Sequence, residues 1–90
     1  MAAQILKSLP KESKDDGKTY ILECSADADN LDGFIEIRRI IIAESSAEAI
    51  ETAKKFVREL KRKKSIFEVL LFDPKASTLL FLRKDDVAKI

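Results

Sequence analysis

The sequence predicts a small α+β domain in which a four-stranded, mainly antiparallel sheet packs on one amphipathic helix. Apolar residues recur with a period of two in four short segments, and with helical spacing in one segment between them. The predicted element order is therefore ββαββ. A chain of 90 residues fits one such domain, and its two glycines and two prolines leave little room for long loops.

The chain divides into two parts. Residues 18–90 are predicted to form a single α+β domain, and residues 1–17 a flexible N-terminal arm, because the later part of this segment is polar and has no apolar period. Three apolar side chains of the arm are candidates for docking onto the domain: Ile5, Leu6 and Leu9.

The first two predicted strands form a hairpin. Residues 18–25 alternate, with Tyr20, Leu22 and Cys24 on one face. Residues 34–43 form a second, isoleucine-rich strand, and the polar stretch between the two runs is long enough for a wide turn.

A change of period marks the helix. Ser45 followed by Glu48 is a capping-box pattern, in which each residue caps the other's backbone N–H. The apolar stripe that follows has helical spacing and consists of Ala49, Ile50, Ala53, Phe56, Val57 and Leu60.

Two further apolar runs, Ile66–Phe72 and Thr78–Arg83, flank Asp73 and Pro74, a pair typical of a type I turn. The crossover through the helix favours the sheet order 2-1-3-4 of the predicted strands, which is fully antiparallel. The order 1-2-3-4, with one parallel pair, is the alternative.

The last two strands are apolar on both faces. Strict alternation places Ile66, Leu70 and Phe72 on one face and Phe67, Val69 and Leu71 on the other. One helix covers only part of such a sheet, so we expect a second copy, another protein or the arm to cover the remainder. The candidates for a homodimer interface are Phe67, Val69, Leu71, Leu79 and Phe81.

Residues typical of enzymes are scarce. The chain has no histidine, and its one cysteine, Cys24, therefore lacks the usual catalytic partner and is interpreted as a small strand hydrophobe. Two glycines do not make a phosphate-binding loop. The acidic stretch 27–33 departs from the calcium-loop pattern at its fifth, sixth and twelfth positions. We predict no catalytic residue, cofactor or metal site.

A basic cluster supports an alternative function. Residues 34–64 carry nine Lys and Arg against five Glu, although the whole chain has a net charge of only +1. Contact with nucleic-acid phosphates would use Arg38, Arg39, Lys54, Arg58, Lys61 and Arg62. A solvated helix face explains the same residues and is favoured, because no stacking aromatics are interleaved.

The sequence therefore predicts a non-enzymatic protein-interaction module that is homodimeric through its sheet, with nucleic-acid binding as the alternative. A lone cysteine cannot form an internal disulfide, which favours the reducing cytoplasm. The sequence contains no run of about 20 apolar residues, the length that a membrane-spanning helix needs.

Overall fold

The computed structural model describes residues 4–6, 18–28 and 33–90. These residues form one sheet and two helices. In chain order the elements are β1 (Gln4–Leu6), β2 (Thr19–Asp27), β3 (Phe34–Ile42), α1 (Ser46–Leu60), β4 (Ile66–Phe72), β5 (Thr78–Arg83) and α2 (Lys84–Ala88).

The sheet order is β1-β3-β2-β4-β5, and every neighbouring pair is antiparallel. The four predicted strands are β2 to β5, so the order 2-1-3-4 and the α+β class are confirmed. The short strand β1 adds a fifth strand beside β3, where Ile5 lies opposite Ile41 and packs against the core. Residues 7–17, including Leu9, lie outside the described part of the chain, and the flexibility of the arm stays a prediction.

The core lies between the sheet and α1. Alternate residues of β2 are buried and face the helix: Tyr20, Leu22, Cys24 and Ala26. The helix presents Ala49, Ala53 and Val57 to them, and all three are fully buried. Because two of these side chains are single methyl groups, the helix backbone lies close to the sheet. Each large apolar side chain buried here contributes about 1.5–3 kcal/mol.

Side-chain hydrogen bonds fix both ends of α1. The Ser45 hydroxyl accepts a hydrogen bond from the Glu48 N–H at 3.2 Å, as the capping-box pattern predicts. The reciprocal bond is not made through Glu48 Oε1, which is buried without a partner. At the other end, Lys61 Nζ donates to the carbonyl oxygens of Val87 (3.3 Å) and Ile90 (2.7 Å). Lys61 therefore holds α2 against α1.

A β-bulge changes which β4 side chains face the helix. Ser25 pairs with Glu68, but the next residue, Ala26, pairs with Ile66, so Phe67 is an extra residue in β4. Ile66 is consequently buried on the helix side, whereas the Phe67 ring contacts the Phe34 ring on the other face. Strict alternation was wrong for Ile66 and Phe67, since one inserted residue inverts the pattern.

Each hairpin contains a residue with a positive φ angle. Gly33 (φ 134°) precedes β3, in a backbone region that side chains rarely adopt. In the β4–β5 turn, the Asp73 carbonyl accepts from the Ala76 N–H at 2.9 Å, and Ala76 itself has φ 67°. Asp73 Oδ1 accepts from two further N–H groups, of Lys75 and Ser77. This side chain therefore stabilises the turn that sequence analysis predicted.

Candidate interaction surface

The face of the sheet turned away from α1, called here the open face, contacts neither helix. Both helices pack on the opposite side, where Val87 of α2 joins the core. Strand registers and ring contacts assign eight apolar side chains to the open face: Ile21, Phe34, Ile40, Ile42, Phe67, Leu70, Phe72 and Phe81.

Aromatic residues are concentrated on the open face. Four of the five phenylalanines lie there, and the fifth, Phe56, belongs to α1. Phe81 is 46% exposed and lies opposite Leu70 in the register of β4 and β5. Phe34 is 65% exposed, and its ring packs edge to face on Phe67 with centroids 5.8 Å apart. The open face therefore has exposed aromatics near two different borders of the sheet.

At one end of the open face, an apolar side chain is almost fully buried. Ile40 lies on this face, opposite Leu6 and Ile21, yet it is only 3% exposed and is not part of the cluster under α1. The most exposed apolar side chains of the open face, Phe34 and Phe81, therefore lie away from Ile40.

Charged side chains divide the apolar residues of the open face. Glu23 and Arg38 are directly opposite each other, and Arg38 Nε donates to Glu23 Oε2 at 3.1 Å. Glu36 and Glu68 lie on either side of Ser25 in the next row. The Arg83 guanidinium lies 5.5 Å from the centroid of the Phe81 ring. One side of that exposed ring thus carries a cation.

The structure separates the five residues proposed from sequence for the dimer interface. Val69 and Leu71 are fully buried under the helices and are core residues, so they are not available to a partner. Leu79 is half-buried at a second bulge and packs on the core. Only Phe67 and Phe81 lie on the open face. Sequence reasoning missed Phe34, Leu70 and Phe72, because it could not tell which face met the helix.

The basic cluster is also divided. Arg38 lies on the open face, whereas the adjacent Arg39 lies on the helix side, 5.8 Å from the Phe56 ring centroid. Lys61 is engaged with the carbonyls that hold α2. Of the six predicted residues, Lys54 and Arg58 remain along α1, and Arg62 lies in the turn that follows it, 3.9 Å from Glu59. A single basic surface made of all six is therefore not formed.

Cys24 lies in the centre of the core and is fully buried. Burial raises the pKa of its thiol from 9.0 to about 11, and the nearby Arg39 charge opposes this only in part. A thiol in this state is a poor nucleophile at neutral pH. Among the described residues, no group of three or more His, Cys, Asp or Glu side chains is arranged to hold a metal ion. Asp29 and Asp32 of the acidic loop lie outside them.

The two edges of the sheet differ in charge. At one edge, the described residues of β1 pair with three residues of β3, and the rest of β3 includes Glu36, Arg38 and Arg39. At the other edge β5 has no charged residue between Thr78 and Arg83. Neither helix in the described ranges has the length and apolarity needed to cross a membrane.

Comparison of the chain with family models, curated proteins and solved structures finds no match.

Proposed function

We propose that this protein is a small non-enzymatic interaction module that forms a homodimer through the β4–β5 side of its sheet. The observation that supports this is the exposure of Phe81, 46%, on the face that neither α1 nor α2 covers. Half-buried Leu70 and Phe72 adjoin it in β4. Burying such side chains contributes about 1.5–3 kcal/mol each, which favours association.

A second copy is the partner that this surface suits best. Homodimers commonly form about a two-fold axis, which places the same patch of each subunit against the other and needs no special recognition motif. The side chains concerned are aliphatic or aromatic, as in the centres of homodimer interfaces. The buried thiol and the absence of histidine support a binding role over an enzymatic one, and the lone cysteine suits the reducing cytoplasm.

The oligomeric state tests this proposal. Light scattering or sedimentation at tens of micromolar should give twice the mass of one 10.2 kDa chain, with dissociation on dilution. Phe81→Asp should give a folded monomer, because a carboxylate in the interface would be desolvated. Phe34→Asp is the matched control: the same change on the same face, near the other edge, should leave the dimer intact.

Circular dichroism separates loss of assembly from loss of folding. If Phe81→Asp unfolds, Phe81→Ser supplies the milder change and should give the same folded monomer. A wild-type monomer at tens of micromolar, folded and soluble, would overturn the proposal.

Nucleic-acid binding through α1 is the alternative function. Its support is the exposed row formed by Arg58 and Arg62 with half-buried Lys54. Phosphate contacts make affinity fall steeply with salt, so a titration with random-sequence DNA at two salt concentrations decides between the functions. Binding at low salt that is lost in Arg58→Gln would favour this alternative.

A further inference from the structure

We propose that β5 pairs antiparallel with β5 of a second copy, about a two-fold axis beside Phe81, so that two five-stranded sheets become one sheet of ten strands. This inference rests on the proposed homodimer and specifies its contact. It follows from the uncharged edge of β5 and from a register in which that edge complements itself.

The outer edge of β5 offers backbone hydrogen-bonding groups to a partner strand. β5 is the last strand of the sheet, and no described strand pairs with its outer side. The N–H and C=O groups of that side need partners, and an extended strand supplies them in full. α2 follows β5 directly but folds back over the helix side, where Val87 is buried in the core. Within the described ranges, neither a strand nor α2 therefore occupies the outer edge of β5.

The β3 and β5 edges of the sheet differ in their charged side chains. Charged side chains on an edge strand discourage pairing with another chain, and natural proteins use them for this purpose. Glu36, Arg38 and Arg39 serve that role in the part of β3 that no described strand pairs with on its outer side. The four consecutive residues 79–82 of β5 are all apolar, and the strand contains no proline or glycine. The difference selects β5 as the pairing edge.

Two-fold symmetry restricts the register between the two copies of β5. Opposite residues of antiparallel strands lie on the same face, so a two-fold axis between two copies of β5 must pair one residue with itself. With the axis at Phe81, the two Phe81 rings form a cross-strand aromatic pair. Leu80 then lies opposite the partner's Leu82, and both are on the helix side. No two like charges are opposed.

An axis at Leu80 is less favourable. It would place Phe81 opposite the partner's Leu79, which is the bulged residue of β5 and is irregularly paired with β4. The Phe81 axis uses the regularly paired residues at its centre, so a flat continuation of the sheet is possible there.

Single-cysteine cross-linking tests the register. Opposite residues in antiparallel strands have Cα atoms about 4.5–5.5 Å apart, within the range of a disulfide. Phe81→Cys should therefore become a covalent dimer under mild oxidation with oxidised glutathione, reversible by dithiothreitol. Cys24 is fully buried and should not react. Phe34→Cys, an exposed position on the same face near the other edge, is the matched control and should stay uncross-linked.

A mixing experiment provides a second measurement if Phe81→Cys fails to fold. Leu80→Cys and Leu82→Cys chains should cross-link with each other but not with themselves. Each residue is offset from its own copy by two residues at about 3.3 Å per residue and by a strand spacing of about 4.8 Å, so the two Cα atoms lie about 8 Å apart, beyond the reach of a disulfide. A wild-type dimer in which Phe34→Cys cross-links and Phe81→Cys does not would overturn this register while preserving the proposed homodimer. A wild-type monomer would overturn both.

Discussion

Consecutive residues of the same strands build two very different faces of this sheet. On the helix side small residues are buried in both layers, Cys24 and Ala26 in the sheet and Ala49 and Ala53 in α1. On the open face, large phenylalanine side chains remain partly exposed. The difference shows that one face is specialised for close packing within the chain. The other keeps apolar area that folding of the described residues does not fully bury.

Truncating one leucine on each face should give the largest difference in the free energy of unfolding. Leu71 is fully buried under the helices, whereas the preceding residue, Leu70, is half-buried on the open face. Leu71→Ala should lower the free energy of unfolding by about 2–5 kcal/mol, since it leaves a cavity in a packed core. Leu70→Ala should cost clearly less, because solvent and side-chain movement can fill the space.

Urea unfolding followed by circular dichroism measures both changes. The comparison should be made below the concentration at which any dimer forms, so that association does not add to the stability of wild type. Equal losses for the two variants would contradict the distinction between the faces.

A neighbouring pair of residues in β2 gives the next contrast. Cys24→Ser places a hydroxyl in the core, where burial without a hydrogen bond costs about 1–3 kcal/mol. The adjacent Ser25 lies on the open face, and Ser25→Ala should change stability by only about 0.5 kcal/mol. Thermal unfolding of both variants, with wild type alongside, checks the pair. A Cys24→Ser protein as stable as wild type would indicate that water reaches this site.

The buried Cys24 thiol should also make the free energy of unfolding depend on pH. Its pKa is about 11 in the folded protein and 9.0 as the ordinary value, so below pH 9 both folded and unfolded chains keep the proton and the stabilisation is fully present. Between pH 9 and 11 only the unfolded thiol ionises, and the free energy of unfolding should fall. Cys24→Ala is the control, because it removes only this thiol. The wild-type decline should be steeper than that of the variant.

Much of the fold could be predicted from the sequence because it depends on local patterns. The alternation in β2, the Ser45 cap and the Asp73 turn each involve residues near one another in the chain. The faces of Ile66 and Phe67 could not be predicted, since the bulge at Phe67 is a property of the pairing between β2 and β4 and leaves no mark in the spacing of β4 itself. Likewise, Arg38 and Arg39 look like one basic pair until the pleat of β3 places them on opposite faces.

Breaking the ion pair between Glu23 and Arg38 should have the smallest effect on stability. The strength of this pair indicates how well water reaches the open face. The Arg38 side chain is 63% exposed and that of Glu23 is 19% exposed, so solvent screens their attraction. A double-mutant cycle with Glu23→Gln and Arg38→Gln should yield a coupling of about 0.5 kcal/mol at low salt. In about 1 M NaCl the Debye length falls to about 3 Å, and most of this coupling should disappear. A coupling above about 2 kcal/mol that persists in salt would mean that the pair is shielded from water. That result would place a cover, such as a second copy, over the centre of the open face instead of at the β5 edge.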